Sequence, residues 1–573
     1  MARVNDDVAA LLQEYADLLA ITGGDTHRLR SYERAARSVA GHHEDVSTLD
    51  LKGVQSIPNV GKSIAEKIRE YVDTGEVAAV EEVRGEIPGG VRQLTAIPGL
   101  GPKRAMALYQ ELGVVTVDEL VEAVQAGKLR GLKGFGAKSG DNILHGVELM
   151  RRAGGRVKLD TAHDLAEEML AALSQVEGCE RAAYAGSLRR NQETVGDLDI
   201  LAMSSRPAPL MEAFRSQPQV DEVIAAGETK SSIRTRDGLQ VDLRVVAPEA
   251  WGAALQYFTG SKQHNVRTRE IAVRQGLRLS EYGLFDVESG ELVVSKTEED
   301  VYARLGLPWI PPELREDRGE IQAAGRGELP ALVAESDIRG DLHTHTNLTD
   351  GAATLENMLK AAAQRGYDYY AITDHAPNLF MQQMTDAKML AQRERVRELA
   401  ERHDGMRLLH GTELNIDQDG NVDWPAEFLE GFDVCVASVH SHFTQPAEEM
   451  TRRIVRACEN PHVNILGHPT GRKIGKRPGI EADMNEVFAA CARTGTALEV
   501  NAHPDRLDLS DEHILWAKRH GVVFAIDSDA HSMRHLSLLR YGLGMAQRGW
   551  LTPDDVINTW PLDRLQTFLR KSG

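Results

Sequence analysis

Between His343 and His531 the chain carries His343, His345, Asp350, Asp374-His375, Glu413, His440, His468, Asp529 and His531. Several of these fall just after an apolar, strand-like run: Ile372-Thr373 before Asp374-His375, Val434 to Val439 before His440, Val463 to Leu466 before His468, Val522 to Ile526 before Asp529. Helical periodicity returns between the segments, as in Leu355, Met358, Leu359 and Ala362 at i, i+3, i+4 and i+7. Strand, polar residue and helix in alternation are what an α/β barrel requires, and the carboxyl ends of its strands converge on one mouth. The i, i+2 pairs His343/His345 and Asp529/His531 each point to one side of an extended chain. Imidazole and carboxylate without thiolate suit Mn, Zn or Fe, and a set larger than one ion can use predicts a cluster. One such histidine alone would read as a hydrogen-bonded core residue; the set does not.

The segments Asp341-Leu-His-Thr-His345, Asp350-Gly351, Ile372-Thr-Asp-His375, Gly411-Thr-Glu413, Ala437-Ser-Val-His-Ser441, Gly467-His-Pro469 and Asp527-Ser-Asp-Ala-His531 resemble the motifs of a PHP (polymerase and histidinol phosphatase) domain. The resemblance covers roughly residues 336 to 573. It implies a seven-stranded β/α barrel with a phosphoesterase centre of two or three Mn²⁺, Zn²⁺ or Fe ions. The implied ligands are His343, His345, Asp350, His375, Glu413, His440, His468, Asp529 and His531. His503 stands where related chains often carry Asn, and is expected in the outer shell.

A metal phosphoesterase alone names no substrate. At 573 residues the chain exceeds one core, and about three to four domains are expected. Four cysteines with no C-x-x-C pair argue against a disulfide framework and point to a reducing compartment. The N-terminus is polar and no apolar run is long enough to span a bilayer, so a soluble cytoplasmic, nucleoid-associated protein without membrane contact is expected. The net charge is −20, and residues 1–150 hold 17 Lys+Arg against 22 Asp+Glu, so no basic surface is set up to grip duplex DNA. Phosphate recognition would have to come from backbone amides and bound cations.

Three similar turns recur in the N-terminal third: Ile57-Pro-Asn-Val-Gly61-Lys, Ile97-Pro-Gly99-Leu-Gly101-Pro-Lys103 and Leu132-Lys-Gly134-Phe-Gly136-Ala-Lys138. Each is an apolar residue, a glycine turn, then a helical stretch. Glycine there lets backbone N–H groups approach a phosphate at a helix N-terminus. The turns resemble helix-hairpin-helix motifs, which hold the DNA backbone without reading sequence; Gly61, Gly99, Gly101, Gly134 and Gly136 are the expected DNA-binding positions. The first copy carries Asn59 in place of its first glycine. Arg28-Leu-Arg30-Ser-Tyr32 and Ile64-Ala-Glu-Lys67-Ile resemble the small lyase-type domain of family X DNA polymerases. In members with that activity a lysine at the Lys67 position forms a Schiff base, for which it must lose its proton.

In the middle third, Ala185-Gly186-Ser187-Leu-Arg189-Arg190 precedes Val195-Gly196-Asp197-Leu-Asp199-Ile-Leu201. Asp197 and Asp199 open an apolar strand and face one way. In Leu239-Gln-Val-Asp242-Leu-Arg244-Val-Val246, Val241, Leu243 and Val245 face one side, Asp242 and Arg244 the other. Three carboxylates on one sheet face repel unless divalent cations lie between them, the layout for two Mg²⁺ or Mn²⁺ ions in phosphoryl transfer. Gly186-Ser187 can wrap a triphosphate with backbone N–H groups.

These residues resemble a nucleotidyltransferase palm, and Tyr257-Phe258-Thr-Gly260-Ser261 through Asn265 and Arg269 resembles the family X thumb segment that holds the sugar and base of the incoming nucleotide. By that resemblance Ser187 and Arg190 touch the β- and γ-phosphates, Asn265 the minor-groove edge of the nascent pair, and Arg269 the template strand. Gln240 departs from the arginine of well-studied eukaryotic relatives, which implies altered base activation. Lys262-Gln-His264 departs too, which implies altered nucleotide affinity. Pro308, Pro311 and Pro312, then charged and Gly-bearing sequence to Gly327, read as a thumb end and a linker that lets the barrel take several orientations.

The chain is thus identified as a member of the bacterial family X DNA polymerases with a C-terminal PHP domain. The expected order is a lyase-type helical domain (1–90), a fingers-type domain with two hairpins (91–155), a palm with a mixed sheet (156–250), a thumb (251–318), a linker (319–337) and the PHP barrel (338–573). The expected work of a monomer is short-gap filling on gapped or primer-template DNA with dNTPs, with metal-dependent 3′→5′ exonuclease action and abasic-site cleavage at the barrel. Two other classes stay open: a nucleotidyltransferase and phosphoesterase acting on RNA or a small molecule, and a DNA-bridging scaffold with weak catalysis.

Overall fold

The structure is a computed structural model, and it describes residues 3–571 except 23–24, 41, 43, 87–90, 92–93, 96, 98–99, 130–131, 133, 136–138, 141–142, 145, 148–154, 380–383 and 403–404. Gly99 and Gly136 lie outside the described residues.

The N-terminal part is helical. Helices Arg3–Ile21 and Thr26–Ala40 pack together, with Tyr15 and Tyr32 edge-on at 4.8 Å. Their apolar faces share one core with helix Lys62–Thr74 (Ile64, Ile68), helix Pro102–Leu112 (Leu108) and helix Val117–Gln125 (Leu120). The two expected helical domains therefore share a single core. Gly61 and Gly101 are the N-caps of helices Lys62–Thr74 and Pro102–Leu112, and neither has a side-chain cap. The first-turn amides lack a capping acceptor, as a phosphate-binding helix start requires. Asn59 takes the left-handed φ of 63° in the first turn, as Gly134 does (φ 93°) in the third, so asparagine does there what glycine otherwise does.

A short ribbon of β1 (Val157–Lys158) and β3 (Thr194–Val195) borders the palm. The palm sheet has five strands, β2 (Arg181–Tyr184), β4 (Asp197–Met203), β5 (Val220–Ala226), β6 (Lys230–Thr235) and β7 (Gln240–Val246), in the order β2-β4-β7-β6-β5. Only β4 and β7 pair in parallel, so the sheet is mixed. Leu198, Ile200 and Ala202 alternate onto the core with helices Leu159–Ser174 and Pro207–Arg215, while Leu201 packs on Trp251, Ala254 and Leu255 of the thumb. The thumb combines helices Trp251–Thr259 and Lys262–Arg274 with a sheet of β8 (Leu277–Ser280), β9 (Gly283–Asp286) and β10 (Leu292–Val294).

The segment expected to be a linker is partly built into the thumb. Helix Glu320–Arg326 buries Glu320, which accepts from the amides of Asp317 and Arg318 and meets His264 Nδ1 at 2.7 Å.

The C-terminal part is a parallel sheet of seven strands in sequence order: β11 (Gly340–Asp341), β12 (Tyr369–Ile372), β13 (Arg407–Asn415), β14 (Val434–Ser438), β15 (Ile465–Leu466), β16 (Ala497–Asn501) and β17 (Phe524–Asp527). Just beyond the outer strands Thr344 bridges Ala530 in parallel, and the His345 amide donates to the Ala530 carbonyl at 2.8 Å, which draws the sheet into a nearly closed barrel. One apolar cluster runs from the palm (Leu198, Val241) into the barrel (Val487, Phe524). Ion pairs Lys158–Asp505 (2.6 Å), Glu193–Arg472 (2.6 Å) and Arg318–Asp511 (2.9 Å) add to that joint. The barrel is docked on the palm over this shared core, and that burial opposes the freedom that a charged linker alone would leave.

Candidate metal centres in the palm and the barrel

The register of β4 against β7 sets the palm site. Asp197 pairs with Gln240, Leu198 with Val241 and Asp199 with Asp242, so the three acids lie together at one end of the parallel pair. Burial together with the charges of Asp197 and Asp242 pushes the Asp199 carboxyl up to about 7. A buried carboxylate whose ionisation its neighbours oppose is a site for a cation, which displaces the proton. Asp242 accepts from Gln240 Nε2 (3.0 Å) and lies 3.6 Å from Lys230 Nζ. Gly186 has φ 59°, and a Cβ there would lie 2.3 Å from Asp199 Oδ2, so glycine is required on both counts. Ala185, Asp199, Lys230, Asp242, Arg244 and Phe258 line a cleft over this face.

Of the expected nucleotide-binding residues, Phe258 lines that cleft and Gly186 abuts Asp199 in its wall. Arg190 Nε donates to Glu316 (3.0 Å) and its Nη1 to the Thr259 carbonyl (2.6 Å). Ser187 sits in the short helix Gly186–Arg189. Tyr257 and Phe258 meet edge-on at 5.1 Å, with the Arg244 guanidinium 4.8 Å from the Phe258 ring centroid. Gly260 ends the thumb's first helix, and a Cβ there would lie 3.2 Å from Arg190. Asn265 is buried, with its amide accepting from Gln256 (2.9 Å) and donating to the Tyr257 carbonyl (2.7 Å), so contact with a base pair requires these bonds to open. Arg269 donates to the Asn265 carbonyl at 3.0 Å. His264 lies inside the thumb, bound by Glu320 and by Tyr302 (2.8 Å); its departure from the relatives serves packing, and it does not reach the cleft. Lys67 lies on helix Lys62–Thr74 with its ammonium 3.3 Å from Ser63 Oγ.

In the barrel all nine candidate ligands come to the carboxyl ends of the strands. Three groups have ligand atoms within 4.8 Å of one another: His345, Asp350, His375 and His531; His343, His345 and Asp529; His375, Glu413 and His440. Glu413 joins them. Its oxygens lie 2.8 Å from His375 Nδ1, 3.5 Å from His343, 3.6 Å from His345, 3.1 Å from His440 and 3.0 Å from His468. His345 Nε2 is 3.2 Å from both His343 Nε2 and Asp529 Oδ1. A four-coordinate ion with bonds of about 2.0–2.1 Å sets its ligand atoms roughly 3.3 Å apart, which these spacings match. His345 and His468 turn Nε2 toward these carboxylate oxygens, and their Nδ1 atoms are buried without hydrogen-bond partners. Burial opposes ionisation of Glu413, but His440, His375 and His343 outweigh it and hold the carboxyl well below its usual range. Burial also opposes a charge on His343, yet Glu499, Glu413 and Asp529 raise its pKa well above the usual value. Six imidazoles and three carboxylates thus form a buried site that attracts positive charge and fits two or three divalent ions.

An outer layer aims these ligands. Glu499 meets His343 Nδ1 at 2.6 Å, Asn415 meets His440 Nδ1 at 2.8 Å, and Asn501 donates to Asp529 at 3.1 Å. Asp374 accepts from the Thr346 amide (2.8 Å) and the Thr349 hydroxyl (2.6 Å), which fixes the loop carrying Asp350. His468 (φ 26°) and Asp529 (φ 50°) hold left-handed backbone, a strained placement typical of functional geometry.

Models of known families match four stretches: a helix-hairpin-helix domain (residues 3–77), a SAM-like helix-hairpin-helix tandem (91–147), a DNA polymerase beta thumb (254–316) and a PHP domain (341–503). The chain is 36% identical over 569 residues, 99% of each chain, to the DNA polymerase/3′-5′ exonuclease PolX of Bacillus subtilis. The chain belongs to the PolX family. It is also similar to DNA polymerase lambda of Rattus norvegicus (26% over 322 residues, 51% of this chain and 53% of that one). The barrel part is similar to a probable phosphatase of Thermoanaerobacter (29% over 243 residues, 40% of this chain and 94% of that one). Among the described residues no helix is long and apolar enough to cross a membrane.

Within this PolX-family chain, sequence reasoning missed Lys230, Glu316, Glu499 and Asn501. Glu499 had a signal, since it stands two residues before Asn501 on a strand whose end faces the mouth. Glu316 had none, because its partner Arg190 lies far away in the chain, and the place of Lys230 beside Asp242 depends on the register of β6 against β7.

Proposed function

We propose that the palm extends a primer end across short gaps in duplex DNA and that the barrel shortens 3′ ends by phosphodiester hydrolysis. The observation that carries this reading is the alignment of Asp199 opposite Asp242 beside Asp197, in a chain collinear over 99% of its length with a DNA polymerase/3′-5′ exonuclease. Asp197 and Asp199 would hold two Mg²⁺ or Mn²⁺ ions, with Asp242 sharing the one nearest the primer 3′-hydroxyl. Such ions would offset the charge of the triphosphate and lower the cost of losing the hydroxyl proton. Gln240 and Lys230 fix the Asp242 carboxylate, which keeps one orientation toward the primer end. Ser187 and Arg190 take the β- and γ-phosphates, while Tyr257, Phe258 and Gly260 shape the wall against the sugar and base. The hairpin amides at Gly61, Gly101 and Gly134 hold the duplex backbone, and this is how an acidic chain binds DNA without a basic face.

In the barrel the nine residues from His343 to His531 would hold two or three Mn²⁺, Zn²⁺ or Fe ions, which supply an activated water and screen the phosphodiester charge. Glu499 keeps the His343 imidazole turned inward, and Asp374 keeps the Asp350 loop in place. The test is a 5′-labelled gapped duplex with Mn²⁺, with and without dNTPs. Asp242→Asn is expected to abolish extension and leave 3′ shortening intact. Glu413→Gln is expected to do the reverse. Shortening that survives Glu413→Gln would place the nuclease outside the barrel.

A further inference from the structure

The barrel reaches the turn that carries Arg190 through one helix. Helix Leu539–Arg548 lies against the turn that follows Gly186-Ser187, and Arg548, 2% exposed, ends that helix. Its Nη1 donates to the Arg190 carbonyl (2.7 Å) and to Glu316 Oε1 (2.8 Å), and its Nη2 donates to Asp511 (2.6 Å). The same Glu316 oxygen accepts from Arg190 Nε (3.0 Å) and Gln192 Nε2 (2.6 Å). Between them Asn191 donates to Glu313 at 3.2 Å and fills the space left by Gly544, where a Cβ would lie 2.9 Å from the Asn191 side chain. Arg190, Asn191 and Gln192 are therefore held from one side by the thumb end and from the other by the barrel.

A buried guanidinium is costly unless its charge is met, and Arg548 meets it with Glu316 and Asp511, outside the barrel's own metal centre, with Nε alone left without a partner. It touches none of the nine barrel ligands. Besides the bond to Asp511 within the barrel, its bonds run to the backbone and to the carboxylate partner of the one arginine expected to hold the nucleotide triphosphate. Without Arg548, Glu316 would be balanced by Arg190 alone. The charge on Arg190 would be more fully neutralised, and its attraction for a triphosphate would fall. Burial opposes ionisation of Glu316, but Arg548 and then Arg190 hold its carboxyl below the usual range, so the carboxylate stays charged between the two.

We infer that Arg548 is a positioning residue for the polymerase reaction: a side chain of the barrel that sets, through Glu316, the pose and free charge of Arg190. This rests on the reading of Arg190 as a triphosphate ligand given above. The test is steady-state single-nucleotide gap filling by the full-length protein, with 3′ shortening as the control for a folded barrel. Arg548→Met is expected to raise the KM for dNTP by about tenfold with kcat within about twofold, the split expected when ground-state binding alone is lost. Adding Glu316→Gln to Arg548→Met is expected to recover part of the KM, because the unbalanced carboxylate is gone, whereas damage to packing would only accumulate. Arg190→Gln is expected to raise the KM further than either. A KM unchanged in Arg548→Met but raised in Arg190→Gln would overturn the inference and leave the Arg190 reading standing. A KM unchanged in Arg190→Gln would overturn the Arg190 reading, and the inference with it. If Arg548→Met loses extension and shortening together, Arg548→Gln, which removes the charge but keeps donors, decides: an unchanged KM there with shortening intact overturns the inference, and a raised KM supports it.

Discussion

Single residues carry the chemistry here through their departures from ordinary behaviour. Asp199, pushed up to about 7 by burial and by Asp197 and Asp242, is the clearest case. Its folded-state value lies above the unfolded one, so the folded chain keeps a proton that the unfolded chain has lost. Stability therefore falls as pH rises from about 4 through about 7, and stays low above that window. In chelator at pH 8, Asp199→Asn is expected to be more stable than the parent by roughly 1–3 kcal/mol, the gap narrowing toward pH 5. Thermal melts read this directly, and added Mg²⁺ should raise the parent and not the variant. The acid triad was legible in the sequence because alternation fixes which side chains share a face. The register that sets Asp199 opposite Asp242 was not, since strand pairing is a tertiary fact. Nor was the burial of Asn265 and His264, which depends on what the thumb packs against.

At the scale of elements, the barrel closes on side chains more than on strand pairing. Its first strand is only Gly340–Asp341, and its last ends at Asp527. The Leu342 amide donates to Asp527 (2.9 Å), and the Ser528 amide (3.2 Å) and hydroxyl donate to Asp341. Burial, then Asp527, raises the Asp341 carboxyl to about 7. A protonated acid and an amide are near equivalents in such a seam. Asp341→Asn is thus expected to keep urea stability at pH 6 within about 1 kcal/mol, while Asp341→Ala loses about 2–4 kcal/mol by orphaning the Ser528 donors. Equal losses would show that the seam needs a charge. The strands preceding His440, His468 and Asp529 were readable as apolar runs. The first strand, Gly340–Asp341, was not, because Arg339 and Gly340 interrupt any apolar run there. Helix Glu320–Arg326 was hidden by its charged composition, which reads as linker until Glu320 is seen against His264.

Over the whole molecule the order of parts was legible from motifs, but their docking was not, since ion pairs such as Glu193–Arg472 join residues far apart in sequence. A fragment ending at residue 326 uncovers the palm side of the shared core. It is expected to melt several degrees lower than the same region in the full chain and to lose 3′ shortening entirely. Differential scanning calorimetry of fragment and full chain makes that comparison. At the centre of the account stand two metal centres built from separate residues, nine in the barrel and three in the palm. The most direct test is metal content by inductively coupled plasma mass spectrometry after dialysis. The parent and Asp197→Ala/Asp199→Ala are expected to retain the same two or three transition-metal ions per chain, and Glu413→Gln fewer than half as many. A parent that retains none, or a Glu413→Gln variant that retains them all, would contradict it.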